Sequence, residues 1–169
     1  MLPYGQGGEA HEEEIPWERV PDTVVSLCPY FEINPGQEQA FKEICANAYQ
    51  STCDAFKEEK TVCYGFSFNG NKAFCRESYR DMEGLLKHHA NIVKDEVPKA
   101  LLQMSKLYKC YIHGPAEELE KGKETFAKFN PEYYNLEWGF QHRGHPLPFE
   151  TDTCVSIEPY FKIHDGKVD

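Results

Sequence analysis

Two runs of alternating residues, 61–68 and 73–79, meet around Asn69-Gly70-Asn71. An Asn-Gly pair between two such runs closes a tight β-hairpin, because the favoured two-residue turn needs positive φ at its central positions. The hairpin commits the chain to a sheet with antiparallel neighbours, and the flanking segments supply the rest of it. Val25, Leu27, Phe31 and Ile33 alternate with Ser26, Cys28, Tyr30 and Glu32, which predicts a first strand over 23–33. Asn34-Pro35-Gly36 is predicted to open a helix, with Asn34 as N-cap and Pro35 at the first helical position. Its apolar stripe is Phe41, Ile44, Cys45, Ala48, Thr52, Ala55 and Phe56. A second helix starts at Asp81, carries Met82, Leu85, Leu86, His89 and Val93 on one face, and ends or kinks before Pro98. A strand over 107–113, a helix between Gly114-Pro115 and Asn130-Pro131, and a strand over 134–141 complete the set.

The resulting order is β-α-β-β-α-β, then α-β. It predicts an α+β fold of ferredoxin-like type, an antiparallel sheet with helices on one face. Val25, Leu27, Phe31, Phe41, Ile44, Ala48, Leu85, Leu86 and Val93 are expected in one core. The opposite sheet face needs a partner.

Charge narrows the function. Lys and Arg number 18 against 28 Asp and Glu, a net charge of -10. Nucleic-acid affinity rests on neutralising phosphates, so no nucleic-acid partner is expected. No stretch approaches the about 20 apolar residues of a spanning helix, so no membrane partner is expected either. The first residues have neither the basic nor the apolar region of a secretory signal. The 7 cysteines form no Cys-x-x-Cys pair, and Cys45 and Cys53 lie too far apart along one helix to bridge. They read as reduced thiols of the cytoplasm or another reducing intracellular compartment, with no metal site. His142-Arg143-Gly144-His145 has metal-like spacing, but it stands in a Pro-rich linker without a third ligand nearby.

Three regions follow. Residues 1–22 form an acidic flexible arm, with six acidic side chains against Arg19 alone; it reads as a solvated tail or a docking arm. Residues 23–143 form the α+β domain. Residues 144–169 hold a Pro-rich linker and the first strand of an incomplete second repeat. Residues 22–36 align without gaps to 152–166, and nine of the fifteen pairs are identical. The chain is either part of a longer tandem protein or retains this strand for a structural purpose. In both cases Val155, Ile157, Phe161 and Ile163 alternate as a strand, expected to pair with a sheet edge of its own chain or of a dimer mate.

Pro35-Gly36 followed by Phe41, and then Glu77-Ser78-Tyr79-Arg80-Asp81 with Leu85 and His88, resembles the antibiotic biosynthesis monooxygenase family of dimeric α+β barrels. In that pattern a strand carries a Glu, an aromatic follows two residues on, and a helical His stands eleven after the Glu. Glu77, Tyr79, Asp81 and His88 fall on those positions, and the resemblance spans residues 23–141.

The resemblance implies a homodimer and a pocket between sheet and helices. In active members it implies cofactor-free oxygenation of phenols or quinols, which needs a base to ionise the substrate. His88 and Tyr79 are the expected catalytic residues. Tyr64, Phe66, Glu77 and Trp138 are expected to bind a small aromatic or quinone-like ligand. Relatives that cleave haem ligate it about ten residues after His88, where this chain has Pro98, so no haem cofactor is expected. Quinol-oxidising relatives carry a second His where this chain has Ile92. His89, inside the apolar stripe, reads as a core residue. Two functions follow: a cofactor-independent monooxygenase or related oxidoreductase, or a non-catalytic binding or assembly module of the same fold.

Overall fold

A computed structural model describes residues 18–54, 58–143, 155–157 and 159–163. Strands β1 (Glu18–Pro21) and β2 (Val25–Ile33) precede helix α1 (Glu38–Asp54). The hairpin β3 (Thr61–Asn69) and β4 (Lys72–Tyr79) follows, then α2 (Met82–Lys94), α3 (Val97–Met104) and β5 (Ser105–Gly114). Helix α4 (Ala116–Phe126), β6 (Glu132–Asn135) and β7 (Phe140–Arg143) complete the order. The five-stranded sheet runs β3-β4-β2-β5-β6, and β1 pairs with β7 in a separate two-stranded sheet.

The expected α+β architecture is the one observed, with several local differences. The expected hairpin forms, with Phe68 opposite Ala73 and Tyr64 opposite Glu77, and Gly70 takes φ 58° at the turn. Helix α1 begins later than the sequence suggests. Gly36 takes φ 80°, which no helical position allows, so residues 34–37 form a turn closed by Gln37 N–H to the Asn34 carbonyl. Asp81 caps α2 as expected, accepting from the Gly84 N–H at 2.9 Å. Pro98 does not merely end a helix. Glu96 takes φ 57°, and the chain turns into α3, where the proline occupies the first turn and its missing N–H costs nothing.

The strand expected over 134–141 is two strands. β6 pairs parallel to β5, because α4 returns the chain to the same end of the sheet, and β7 leaves to join β1. The sheet is therefore mixed.

All four helices cover one face of the five-stranded sheet. Val25, Leu27, Tyr79, Met82, Leu85, Ile112, Leu119 and Phe126 form one buried cluster. Phe31, Ile33, Phe41, Cys45, Ala73 and Leu101 form another. The single core expected from the sequence is thus divided. Val93 is 43% exposed, because His88, fully buried, turns the α2 face away from it. Leu86 packs on the first cluster only half-buried.

The opposite face is aromatic. Tyr30 stacks on Phe74 with ring centroids 4.6 Å apart, Tyr111 lies edge-on to Tyr30, and His113 stacks on Tyr134. The C-terminal copy of the first strand lies over this face. Tyr160 packs on Tyr111 at 4.6 Å, and Arg76 donates to the Ser156 hydroxyl at 2.8 Å. Residues 155–157 and 159–163 form no strand within this chain, and Val155, Ile157, Phe161 and Ile163 are exposed. Residues 1–17, the stripe positions Ala55 and Phe56, the linker over 144–150 with His145, and residues 151–154, 158 and 164–169 lie outside the described residues.

Candidate active site

Alternation along β4 puts Ala73, Cys75, Glu77 and Tyr79 on the helix-covered face. Three of these suit a core; Glu77 does not. It is only 3% exposed, and its neighbours explain how a carboxyl is held there. The Tyr79 hydroxyl donates to Glu77 Oε2 at 2.5 Å. Helix α2, fixed by its Asp81 cap, presents His88 to the same oxygen, with Nε2 3.6 Å away. The ring of Tyr64 from β3 packs on the His88 imidazole at 4.7 Å, and that of Tyr79 at 5.4 Å.

The other side of His88 meets Glu58. Nδ1 lies 2.8 Å from Glu58 Oε2, which also accepts from the Thr61 hydroxyl at 3.0 Å. Asn91 donates to the remaining oxygen at 2.6 Å. Burial pushes the Glu58 carboxyl up, but hydrogen bonds from His88 and Asn91, the imidazolium charge and Thr61 together hold it below its ordinary value. An ionised carboxylate only accepts, so Nδ1 carries a proton in this arrangement. Burial lowers His88, and the Glu58 hydrogen bond with the charges of Glu77 and Glu58 raises it above an ordinary imidazole. Glu77 moves the other way from Glu58. Burial lifts its carboxyl, and His88 and Tyr79 only partly offset that. Two carboxyls on either side of one imidazole are thereby driven apart, Glu58 downward and Glu77 upward.

Glu77 also faces a cavity of about 70 Å³ in the seam between the two apolar clusters. Leu27, Phe31, Tyr64, Phe66, Leu101 and Leu107 are among its walls, and Glu77 and His89 supply polar groups. Leu102, 42% exposed, is also part of the lining, so the cavity reaches the surface beside α3. Burial, followed by the charges of Lys128 and His88, pushes the His89 imidazole down to about 4, which keeps it neutral.

Tyr64, Phe66 and Glu77 therefore stand around one cavity. His88 and Tyr79 stand behind Glu77 and reach the cavity through it. Trp138 is elsewhere: it is 90% exposed in the bend between β6 and β7. Sequence reasoning missed Glu58, which lies in the run Glu58-Glu59-Lys60 and has the pattern of a solvated turn. It also missed the α3 wall, Val97, Pro98 and Leu101, and it read His89 as core alone. Asp81 does not join the site; it caps α2 and pairs with Lys60 at 2.8 Å.

No family model matches the chain, and no curated protein matches it. Solved structures do. MupZ from Pseudomonas fluorescens is 37% identical, with a TM-score of 0.63 over 70% of this chain and 94% of that one. A conserved protein from Methanosarcina mazei Go1 is 19% identical, with a TM-score of 0.48 over 54% and 91% of the two chains. A protein from Chloroflexus aurantiacus J-10-fl whose name proposes an antibiotic biosynthesis monooxygenase is 12% identical, with a TM-score of 0.45 over 56% and 94%.

Proposed function

The chain belongs to the family of MupZ and has an antibiotic biosynthesis monooxygenase-like fold, and from that premise we propose an enzyme that transfers protons on the small end of a largely apolar molecule. One observation carries the reading: a buried carboxyl, Glu77, in the wall of an otherwise mostly apolar cavity, backed by Tyr79 and His88. Burial raises the proton affinity of Glu77, so its carboxylate, bound by the Tyr79 hydroxyl and flanked by His88, takes the proton of a substrate hydroxyl. The carboxyl so formed returns a proton in the reverse step.

The reaction class we propose for this unit is cofactor-independent oxygenation of a phenol or hydroquinone. Removal of the hydroxyl proton gives an electron-rich ring that reacts with O₂; a phenol and O₂ yield a quinone and water. The cavity of about 70 Å³ is roughly half of the ~150 Å³ that holds a benzene. It takes the hydroxyl-bearing edge of one ring, and the surface beside Leu102 meets the remainder.

Oxygen uptake against a panel of monocyclic phenols and hydroquinones tests this. Wild type is expected to consume oxygen with at least one of them, and Glu77→Gln to lose about 10²–10⁴-fold of that rate. Ligands that shift the nuclear magnetic resonances of Leu101 and Phe66 but never turn over would leave the non-catalytic binding module as the reading.

A further inference from the structure

His88 is fully buried, yet its Nε2 has no hydrogen-bond partner among the described residues; the nearest acceptor given is Glu77 Oε2 at 3.6 Å. Its Nδ1 is firmly bound to Glu58. Glu58 in turn lines a second depression, of about 90 Å³, together with Lys60, Glu83 and Lys87. The two openings share no residue: Glu77 belongs to the apolar cavity and Glu58 to the charged one. His88 lines neither and touches both carboxyls.

We propose that Glu58, His88 and Glu77 form a proton relay, with Glu58 as its solvent-side terminus, so that protons and ligand reach the site through different openings. The proposal rests on the acid–base reading of Glu77. An outward step begins from the arrangement in the structure, with Glu58 ionised and the ring neutral and protonated on Nδ1. Glu77, once protonated, passes its proton to Nε2, the Nδ1 proton moves to Glu58, and Glu58 releases it to water. The ring is left neutral and protonated on Nε2, and Glu58 is again ionised. An inward step runs the same bonds backwards, Glu58 taking a proton from solvent, so outward and inward transfers alternate without ring rotation and charge balances at each step. The groups facing the imidazole are Glu58 from the turn before β3, Tyr64 from β3, and Glu77 and Tyr79 from β4, with His89 beside it on α2. Of these, Glu58 alone borders the charged depression. Tyr64 is raised by burial and Tyr79 likewise, so neither releases a proton in the working range.

A substrate-free measurement tests the relay in the full chain. Histidine is labelled with ¹⁵N in the ring, the His88 signals are assigned through His88→Gln, and magnetisation transfer from water to the ring N–H is timed. Glu58→Gln keeps a hydrogen-bonding group but removes the proton acceptor, and is expected to slow exchange about tenfold or more. Glu58→Asp is expected to fall between wild type and Gln, and is read alone if the Gln variant does not fold. Leu102→Trp, which fills the ligand opening, is expected to leave exchange unchanged. Exchange that is equal or faster in the Glu58 variants means the carboxylate only shields the ring, and overturns the relay. Slowing by Leu102→Trp routes protons through the ligand opening and overturns it too. The acid–base reading fails separately, if Glu77→Gln leaves turnover intact, so the two failures are distinguishable.

Discussion

His89 stands within the apolar stripe of α2, its ring 5.0 Å from Phe126 and 5.7 Å from Phe129. Its imidazole falls from 6.5 to about 4 on folding, so the folded state binds fewer protons than the unfolded chain in that interval. The stability it contributes is complete above 6.5 and is lost as pH falls toward 4. The loss is up to about 3 kcal/mol. Replacing His89 by Leu is expected to remove that part of the acid-side loss, read as a smaller difference between urea midpoints at pH 7 and pH 4.5. Glu77 and His88 have the opposite sign. Both are raised in the fold, so their contributions are complete below the ordinary carboxyl and imidazole values and fade as pH rises through the raised ones. Glu58 is lowered, and its contribution is lost on the acid side. The site therefore loses stability on the acid side through Glu58 and His89 and on the alkaline side through Glu77 and His88.

At the scale of elements, α2 is held where it is by a close approach to the turn before β3. A Cβ built on Gly84 would lie 2.6 Å from the Lys60 Cβ and 3.5 Å from the Lys60 carbonyl oxygen. Alanine in a helix gains about 1 kcal/mol over glycine. Here the clash is with a Cβ fixed to the backbone, so α2 must move. Gly84→Ala is expected to destabilise the protein by a net ~1–3 kcal/mol in urea denaturation. The same substitution at Gly122 in α4 meets the Met82 Sδ at 2.5 Å, the far part of a flexible side chain, and is expected to cost less. The lesson for sequence reading is local. The hairpin at Gly70 and the Asp81 cap are set by a few adjacent residues, and both are legible. Helix α3 was not, because Pro98 carries the same signal at the end of one helix as in the first turn of the next. The left-handed turn at Glu96 decides between them, and no residue type there announces it.

At the scale of the molecule, the aromatic face opposite the helices is the surface that a partner copy would cover. Tyr30, Phe74, Tyr111, His113 and Tyr134 converge there, with Tyr160 laid over them. Apolar faces of this kind are rarely left to solvent in monomers. The homodimer anticipated from the sequence is expected to form through it. Sedimentation of wild type beside Tyr111→Asp checks this: wild type is expected to sediment as a dimer and the variant as a monomer with intact secondary structure. A monomeric wild type would leave the face to the chain's own C-terminal segment.

The amino-acid sequence by itself determined the α+β class, the hairpin and the Asp81 cap of α2. Periodicity and turn chemistry are local, and they need only neighbouring residues to act. Tertiary structure alone decided that Glu58 meets His88, thirty residues away in the chain. It alone sent β7 to pair with β1 and left Trp138 in solvent, and it placed the cavity between two clusters where one core was expected. A contact between distant segments depends on how helices pack against the sheet. The same packing raises the Glu77 carboxyl and lowers that of Glu58, so the difference between two glutamates that look alike in the sequence is a property of the fold.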